Sequence, residues 1–529
     1  MDALEPSLLP GAHPVLSCAE ALDWERTILG GDPAREWSAM SRAGRAVAAA
    51  LLDDLCETGV QPDDACWLVL CGKGHNGGDA LIALHALLDA HPRATAIVLV
   101  VPGFAGLRPL ARRAFEALHQ AHAPRVMWEQ VGGDASGRDA ARVRTLLHGQ
   151  RFTACLDGLF GMQFKPPLRA PADWLLPLIN DHPAIGMRAA VDLPSGVGDA
   201  AADRPFRADF TYATGIAKRA VLTHETAGRV RYLDLGFFLR LPSYSSPEYI
   251  LTSRVLDPLR TLRDAHADKR TFGHLFVVSG SRSMPGAVMM AVESALRSGA
   301  GLVTAFVPET VADIGATRAP EAMWVPMPET PGGGLALEGR GTVVARAARC
   351  TALLIGPGLG RERESLALVH ELLRAIDVPT VLDADALQPD LVAVRPSEGS
   401  APRVLTPHAG ELERIRDDAR STIAMLARRC RATIVQKGSP TRVCDAGGSG
   451  YVSLFGGPVL ARGGSGDVLA GLIGGQLAQG AGALQAAARG VVWQGLAADR
   501  LARRRGVAAV RTLDLCEQLG PALQEISDV

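Results

Sequence analysis

Short apolar runs alternate with longer segments of mixed polarity along the first half of the chain. The runs at 67–71, 96–101 and 189–192 have the length and composition of buried strands, and 80–90 has the pattern of a helix. Apolar strands separated by amphipathic segments are typical of a parallel sheet covered on both faces. The pattern therefore predicts an α/β fold for this half.

The second half restarts the same alternation. A helix rich in small residues is predicted over 286–298. Strands are predicted at 275–280, 302–306, 352–356, 380–383, 404–408 and 433–437. Ligands in open α/β sheets bind at the carboxyl ends of the strands. Because most of these runs end in glycine or in polar residues, we expect the functional residues of this half at the strand ends.

Two domains are predicted, because 529 residues exceed one ordinary hydrophobic core. The stretch 242–247 is polar and bounded by prolines, which favours a linker. We therefore expect one domain over 1–242 and a second over 250–529.

Composition narrows the possible partners. A formal net charge of -1 gives no electrostatic reason to bind nucleic acid or an anionic membrane. No apolar run reaches the roughly 20 residues of a transmembrane helix. Nine cysteines without a C-x-x-C pair suit reduced thiols, and the first residues lack the pattern of a secretory leader. We therefore expect a cytoplasmic protein without nucleic-acid or membrane partners.

Lysine is rare in this chain. The 55 basic residues include five lysines and 50 arginines. A lysine that persists in such a chain favours a position where a compact ammonium fits and a planar guanidinium does not. The five are Lys73, Lys165, Lys218, Lys269 and Lys437. Four of them lie within or beside the motifs described next.

The segment 463–467, Gly-Gly-Ser-Gly-Asp, runs directly into an apolar helix. Its small residues allow close approach of a ligand, and the helix start offers free N–H groups and the positive dipole end to an anion. Asp467 lies in that first turn, where it can take a proton from a hydroxyl that is being phosphorylated. The alternative is a glycine-rich turn with Asp467 as a helix cap.

Three segments of the first half join a strand end to a polar turn. Segment 71–79 reads Cys-Gly-Lys-Gly-His-Asn-Gly-Gly-Asp, segment 157–165 begins with Asp157, and segment 191–197 contains Asp192. The first is typical of a phosphate-binding turn, although it matches neither a Walker sequence nor G-x-G-x-x-G. Asp157 and Asp192 are candidate proton-transfer groups, and solvated turn residues are the alternative.

In order and spacing these segments resemble the epimerase domain of the bifunctional NAD(P)H-hydrate repair enzymes. The segment 40–44, Met-Ser-Arg-Ala-Gly, also resembles the first helix of that family. The resemblance implies a Rossmann-like domain that interconverts the R and S epimers of hydrated NADH and NADPH. It implies a K⁺ site at Asn76, Asp157 and Ser195, whose oxygen atoms suit a hard cation. It also implies hydrate contacts from Asp192 and from two segments. These are His75, Asn76, Gly77, Gly78 and Asp79, then Gly161, Met162, Gln163, Phe164, Lys165, Pro166 and Pro167. His75 stands where the family usually has asparagine.

Six motifs of the second half lead up to the 463–467 turn. They lie at 269–274, 280–287, 356–360, 382–387, 405–411 and 437–441. With that turn they resemble, over most of 265–500, the ADP-dependent hydrate dehydratase domain, which has a ribokinase-like fold. Ala409 replaces a usual proline, and Ser465 replaces a usual threonine while keeping the hydroxyl.

The second resemblance implies roles for individual residues. Ala287, Gly358 and His408 would contact the hydrate, and for His408 a structural role is the alternative. The residues implied to hold ADP are Lys437, Gly438, Ser439, Pro440, Thr441 and Gly466. Asp467 would accept the proton of the C6 hydroxyl as it is phosphorylated, and loss of phosphate would restore the dihydronicotinamide. Mg²⁺ is expected with the phosphates, near an acidic residue such as Glu411.

We therefore predict a Rossmann-like three-layer domain followed by a ribokinase-like domain, in a homo-oligomeric enzyme that uses ADP, K⁺ and Mg²⁺. The main alternative is a small-molecule kinase of the ribokinase-like class, which would leave the N-terminal motifs unexplained. A regulatory nucleotide-binding protein is a second alternative, against which the complete set Asn76, Asp157, Asp192 and Ser195 argues. A classical dehydrogenase is least consistent, because the chain has no Rossmann fingerprint.

Overall fold

The computed structural model describes residues 8–132, 137–239, 246–394, 399–418 and 420–525. The chain divides into two compact units. The N-terminal unit is His13–Ser246 with Ala502–Gly506, and the C-terminal unit is Pro247–Leu501 with residues 507–525 and 8–12. Most of the predicted linker, residues 242–245, lies outside the described residues.

The N-terminal unit alternates strands and helices. The first strand of the chain, β1 (Ala12–Pro14), pairs in the sheet of the C-terminal unit. The strands of the N-terminal unit are β2 (Cys66–Cys71), β3 (Thr95–Val100), β4 (Val126–Gln130), β5 (Ala154–Gly158), β6 (Arg188–Val191), β7 (Phe210–Thr214) and β8 (Arg229–Leu233). Its helices are α1 (Cys18–Leu29), α2 (Pro33–Leu55), α3 (His75–Ala90), α4 (Pro109–His122), α5 (Arg138–Leu147), α6 (Ala172–Asn180) and α7 (Arg219–Thr223).

The sheet of this unit is covered on both faces. Successive residues of β2 alternate between two hydrophobic clusters, with Trp67 and Val69 in one and Leu68 and Leu70 in the other. This alternation follows from the two-residue period of a strand. The unit is therefore a three-layer sandwich, as the continuous apolar runs predict.

All seven strands of this sheet are parallel, in the order β4-β3-β2-β5-β6-β7-β8. This is a Rossmann-like order, because the chain runs outward from β2 to β4 and then returns to place β5 on the other side of β2. The gap between the carboxyl ends of β2 and β5 is the switch point, where ligands of such sheets bind. The 71–79 and 157–165 segments both lie there.

The C-terminal unit has a second α/β sheet. Its strands are β9 (Glu248–Leu251), β10 (His274–Val278), β11 (Leu302–Pro308), β12 (Met323–Met327), β13 (Ala352–Ile355), β14 (Thr380–Leu382), β15 (Arg403–Leu405), β16 (Ala432–Gln436), β17 (Thr441–Cys444) and β18 (Gly450–Ser453). Its helices are α8 (Pro285–Arg297), α9 (Glu309–Arg318), α10 (Arg340–Val344), α11 (Arg363–Ala375), α12 (Pro389–Val392), α13 (Ala409–Ile415), α14 (Ile423–Cys430), α15 (Ser465–Ala478), α16 (Ala483–Arg505) and α17 (Thr512–Gln524).

The strand order is β1-β9-β18-β17-β16-β15-β14-β13-β10-β11-β12. Strands β10 to β16 pair in parallel, whereas β16, β17 and β18 pair antiparallel. The switch point of this sheet lies between β10 and β13. There the Gly280 N–H donates to Pro357 O over 2.9 Å, which ties together the turns after the two strands.

The predicted fold class is confirmed: both units are α/β with largely parallel sheets. Each strand predicted from an apolar run is present, with ends that differ from the prediction by at most three residues. The antiparallel hairpin β17–β18 was not predicted, because these two strands are short and interrupted by polar residues. Segment 40–44 lies in the middle of the second helix, α2.

Candidate functional site

The three side chains predicted to hold K⁺ converge on the peptide groups of Phe160. The Asn76 amide donates to the Phe160 carbonyl oxygen (2.7 Å), and the Phe160 N–H donates to Ser195 Oγ (2.9 Å). The Ser195 hydroxyl then donates to Asp157 Oδ1 (2.6 Å), and its backbone N–H donates to Asp157 Oδ2 (2.7 Å). Asn76 and Ser195 follow β2 and β6, and Asp157 lies at the end of β5, so the Rossmann strand order brings these residues together.

Asp157 is fully buried. Burial raises the pKa of Asp157 to about 6, although hydrogen bonds from Ser195 and from the Leu159 N–H oppose the shift. Those donors, in the described part of the chain, are neutral. The carboxylate thus carries a charge that burial disfavours and only neutral donors stabilise. Together with the surrounding amide, hydroxyl and carbonyl oxygens, this charge fits a hard monovalent cation.

Glycine is required within the 71–79 turn and where this turn touches the one that follows β5. A Cβ at Gly77 would lie 2.0 Å from Gly72 O, and a Cβ at Gly72 would lie 2.0 Å from Leu159 O. Any side chain at either position would force the backbones apart. The 71–79 turn therefore packs directly on the turn that follows β5.

The residues predicted to contact the hydrate surround this packed pair of turns. Asn76, Gly77, Gly78 and Asp79 are buried at the start of α3, whereas the His75 side chain is exposed and its Nε2 lies 3.9 Å from Glu36 Oε2. In the following loop the exposed residues are Gln163, Lys165, Pro166 and Pro167, and the half-buried ones are Gly161, Met162 and Phe164. The Phe164 ring stacks on Phe160 at 5.4 Å, so the loop begins from the same residue that joins the K⁺ candidates.

Asp192 follows β6 in a left-handed conformation, with a φ of 66°. Its Oδ1 accepts three hydrogen bonds, from Lys218 Nζ (2.5 Å), the Thr214 N–H (3.1 Å) and the Thr214 hydroxyl (3.0 Å). Lys218 is fully buried after β7, so this is a buried ion pair. Asp192 was predicted from the sequence as a site residue, whereas Lys218 and Thr214 were not.

Two further carboxyl groups act on this ion pair. Asp79 is buried, and burial together with Asp192 and Glu25 raises the pKa of Asp79 well above its usual range. Burial also raises the pKa of Glu25, in α1, to about 7, against the opposing charge of Lys218. Glu25 was not predicted, because it lies outside every motif and about 50 residues before Asp79.

In the C-terminal unit, Asp467 lies in the first turn of α15. Gly464 precedes this helix with a φ of 91°, a left-handed conformation that favours glycine. Burial and the charge of Asp383 raise the pKa of Asp467 to about 7, against the opposing effect of Lys437. A carboxylate with such a pKa is well matched to act as a general base near neutral pH.

Lys437 lies beside Asp467 and not in open solvent. Its Nζ is 2.8 Å from Asp383 Oδ1 and 3.7 Å from Glu411 Oε2. Burial by itself lowers the pKa of the Lys437 ammonium, but Asp383 and Glu411 outweigh it and raise that pKa. A Cβ at Gly466 would lie 3.2 Å from Lys437 Nζ, so the predicted nucleotide residues Gly466 and Lys437 are in contact.

Asp383 and Glu411 differ in the oxygens they leave free. Both Glu411 oxygens are engaged, because Oε2 accepts from the His408 N–H (2.8 Å) and Oε1 lies 3.3 Å from His408 Nε2. Asp383 is buried, its Oδ1 accepts from the Thr406 hydroxyl (2.6 Å), and its Oδ2 has no hydrogen-bond partner among the described residues. Of the two carboxylates, Asp383 is therefore the better candidate to act on a divalent cation.

The other predicted C-terminal residues lie at neighbouring strand ends. A Cβ at Gly358 would lie 2.8 Å from the Ala287 Cβ, so these two hydrate candidates touch across the switch point. His408 caps α13, with Nδ1 accepting from the backbone of Gly410 and Glu411 while its ring stays exposed. The remaining nucleotide candidates are Gly438, Ser439 and Pro440 in the turn after β16 and Thr441 at the start of β17.

A separate cluster of His85, Asp89 and His122 has the residue types of a transition-metal site. The hydrogen bonds argue against that function. Arg125 Nη2 lies 2.6 Å from His122 Nδ1, and because a guanidinium only donates, Nδ1 must be the acceptor. The proton of the neutral His122 ring is then on Nε2, which lies 3.0 Å from Asp89 Oδ1. A metal would need the lone pair of this Nε2, which the proton occupies. We interpret the cluster as structural.

Both units are α/β, and each gathers polar residues at the switch point of its sheet, beside the start of a helix. This arrangement defines a two-domain enzyme that acts on nucleotides. Comparison with known families agrees with this class. Residues 38–220 match the family described as YjeF-related protein N-terminus, and residues 275–520 match the family described as NAD(P)H-hydrate dehydratase.

Full-length relatives match both units together. The bifunctional NAD(P)H-hydrate repair enzyme of Moorella thermoacetica is 33% identical over 87% of this chain and 88% of its own length. That of Gloeobacter violaceus is 34% identical over 92% of this chain and 93% of its own. The chain therefore belongs to the family of bifunctional NAD(P)H-hydrate repair enzymes.

A single-domain protein and a solved structure match the C-terminal unit. The ADP-dependent (S)-NAD(P)H-hydrate dehydratase of Xanthomonas campestris is 35% identical over 49% of this chain and 90% of its own length. The ADP/ATP-dependent NAD(P)H-hydrate dehydratase of Bacillus subtilis, co-crystallized with ATP and Mg²⁺, is 27% identical. It covers 49% of this chain and 92% of its own, with a TM-score of 0.42.

The predicted family is thus confirmed, and the epimerase-type and dehydratase-type domains are both present. Among the described helices, none combines the length and apolar character that crossing a bilayer requires. The roles of individual residues remain predictions.

Proposed function

We propose that the N-terminal unit, domain 1–242, interconverts the R and S epimers of hydrated NADH and NADPH. The C-terminal unit, domain 250–529, then dehydrates the S epimer and converts ADP to AMP and phosphate. The observation that carries this proposal is the pairing of two family matches with two sets of motif residues, each gathered at a sheet switch point.

For epimerisation we propose that Asn76, Asp157 and Ser195 hold K⁺. The cation would offset the buried charge of Asp157 and fix the start of the 161–167 loop through Phe160. The hydrate would lie between that loop, the start of α3 and Asp192. The all-oxygen donor set and the neutral surroundings of Asp157 support this assignment.

For dehydration we propose that Asp467 accepts the proton of the C6 hydroxyl as that oxygen takes the terminal phosphoryl group of ADP. The N–H groups at the start of α15 would stabilise the negative charge of the transferred group. The C6–O bond then breaks with loss of phosphate, pushed by the lone pair of the ring nitrogen, and loss of a C5 proton restores the dihydronicotinamide.

Lys437 and Mg²⁺ have distinct proposed tasks in this site. Lys437, beside Gly466 and Asp467, would bind the phosphates of ADP, with Gly438 to Thr441 along the nucleotide. Mg²⁺ would supply charge neutralisation for the phosphates, and the unpaired Asp383 Oδ2 fits a role in holding it. Three carboxyl groups, Asp383, Glu411 and Asp467, act on the single ammonium of Lys437, so the site has room for further positive charge.

We also propose a cytoplasmic, homo-oligomeric enzyme that binds the small molecules NADHX, NADPHX and ADP and has no nucleic-acid or membrane partner. None of the nine cysteines, all of which the structure describes, forms a disulfide, and this suits a reducing compartment.

The decisive experiment offers a mixture of R and S hydrates with ADP and follows recovery of dihydronicotinamide absorbance. Complete recovery with release of AMP and phosphate requires both activities. Recovery that stops when the S epimer is consumed would show dehydration alone. A ribokinase-like small-molecule kinase would give no recovery with either epimer.

A further inference from the structure

Four titratable side chains from four different elements act on one another beside the carboxyl ends of β6 and β7. They are Glu25 from α1, Asp79 from α3, Asp192 after β6 and Lys218 after β7. Three carboxyl groups thus share one ammonium. They cannot all be ionised at little cost, because like charges in a buried site disfavour one another.

Asp192 is the member held in its ionised form. The Lys218 ammonium and two groups of Thr214 all donate to Asp192 Oδ1. A carboxylate that accepts three hydrogen bonds on one oxygen, one of them charged, is strongly favoured over the neutral acid. Its second oxygen makes no hydrogen bond to a described residue, so it remains available to accept a proton from a ligand.

Asp79 is the member with the opposite environment. It is more than nine-tenths buried, and its Oδ1 has no hydrogen-bond partner among the described residues. An ionised carboxylate there would be an unpaired charge next to Asp192 and Glu25. Burial and these two neighbours raise the pKa of Asp79 well above its usual range, which leaves a neutral carboxylic acid.

Asp157, the other candidate for proton transfer, has both carboxylate oxygens engaged in hydrogen bonds within the protein. Its two oxygens accept hydrogen bonds from the Ser195 backbone, the Ser195 hydroxyl and the Leu159 backbone, and the residue has no exposed surface. A group so enclosed can hold a cation or brace a turn. It is poorly placed to reach a carbon atom of a ligand.

We infer that Asp79 and Asp192 are the acid and the base of hydrate epimerisation, and that Lys218 is a positioning residue that keeps Asp192 ionised. This inference rests on the proposed epimerase function. The pairing of one neutral and one ionised carboxyl group in a single site follows a general pattern of acid–base catalysis.

The reacting carbon, C6, bears a hydroxyl group and the ring nitrogen N1, so it can invert by ring opening. Asp192 takes the proton of the C6 hydroxyl, the C6–O bond gains double-bond character, and the C6–N1 bond breaks. The electron pair of that bond goes to N1, which takes the Asp79 proton. The resulting aldehyde rotates about C5–C6, and the reverse proton transfers close the ring on its other face and restore both carboxyl groups.

The test measures epimerisation of the isolated R hydrate by Asp79→Asn, with a separately added S-hydrate dehydratase in excess. We expect kcat to fall about 100-fold or more with little change in KM, because the amide keeps the shape but cannot supply the proton. Asp173→Asn is the matched control, since Asp173 is an exposed aspartate at the start of α6. Tryptophan fluorescence during heating, to which five N-terminal tryptophans contribute, shows that the N-terminal unit of each variant is folded, and dehydration of the S hydrate shows the same for the C-terminal unit.

Lys218→Met tests the positioning role through the pH profile. Without the ammonium, burial and the carboxyl groups of Glu25 and Asp79 favour the neutral form of Asp192, so activity should appear only at higher pH than in the wild type. Equal loss at every pH would show that Lys218 acts on structure alone. Conversely, Asp79→Asn should lose the decline of activity at high pH that deprotonation of Asp79 causes in the wild type.

Two outcomes separate this inference from the proposed function. A wild-type chain that leaves the R hydrate unchanged would overturn the epimerase function itself. A wild type that epimerises, together with an Asp79→Asn variant of unchanged kcat, would overturn the acid–base assignment alone. In water labelled with ¹⁸O, we expect the C6 oxygen to stay unlabelled during epimerisation, and rapid labelling would overturn the ring-opening step.

Discussion

Potassium should stabilise the N-terminal unit, and it should do so only when Asp157 is ionised. Asp157 is fully buried, and the described groups that bind it are neutral. A cation bound beside its carboxylate would provide the missing opposite charge. The perturbation is therefore simple: replace K⁺ by an organic cation too large to enter the site.

The size of the effect follows from the pKa of Asp157, which burial raises from 3.8 to about 6. This difference in pKa corresponds to roughly 3 kcal/mol of stability. Because the folded pKa is raised, the folded protein binds the proton more tightly, and stability falls as the pH rises from about 4 to about 6. Above about pH 6 the full cost is present unless a cation offsets it.

The gain from K⁺ has a similar magnitude. A ligand at about 100 times its Kd stabilises the folded state by about 2.7 kcal/mol. For a unit of this size, about 1 kcal/mol raises Tm by roughly 2 to 4 °C. We therefore expect K⁺ to raise the Tm of the N-terminal unit by roughly 5 to 10 °C at about pH 7.5, and by much less at about pH 5.

Tryptophan fluorescence during heating is a suitable assay, because five of the seven tryptophans lie in the N-terminal unit. They are Trp24, Trp37, Trp67, Trp128 and Trp174. Tetramethylammonium chloride at equal ionic strength is the control salt, and Asp157→Asn should lose the response to K⁺. An equal rise with both salts, or an unchanged K⁺ response in Asp157→Asn, would refute the reasoning.

Three further predictions concern the C-terminal unit. Asp467→Asn should lower S-hydrate dehydration by about 100- to 10,000-fold while ADP binding, followed by calorimetry, stays intact; wild-type turnover would remove Asp467 from the mechanism. The ionised form of Asp467 is the base and its pKa is about 7, so kcat/KM for dehydration should fall about tenfold per pH unit below about pH 7. A kcat/KM that does not change with pH below 7 would contradict this. Lys437→Ala should raise the KM for ADP before it changes that for the hydrate, and an unchanged ADP affinity would place Lys437 outside the nucleotide site.

Much of the fold follows from local pattern, and so does the position of each motif. Strands buried on both faces read as continuous apolar runs, and their carboxyl ends are marked by glycine or polar residues, as at Gly72 and Asp157. Parallel pairing then brings those ends to one edge of a sheet. The grouping of Asn76, Asp157 and Ser195 itself was implied by the family resemblance, and the strand order gives the physical reason why the three residues meet.

The electrostatics of the site could not be predicted in the same way. Whether a carboxyl group is ionised depends on partners brought close by folding, such as Lys218 for Asp192 or Asp383 for Lys437. Glu25 gives no local signal, because α1 lies far from the other site residues in sequence. Lys218 did give a signal, since it is the one lysine of this arginine-rich chain that lies outside the motifs.

The scarcity of lysine also makes the chain unusually selective toward amine-reactive reagents. Lys218 is fully buried and Lys437 is enclosed by carboxylates, which leaves Lys73, Lys165 and Lys269 as the exposed side-chain amines. Two of these three belong to the N-terminal motifs. An amine-directed reagent should therefore modify Lys73, Lys165 and Lys269, and protection of Lys165 by the hydrate would report occupancy of the proposed site without any engineered cysteine.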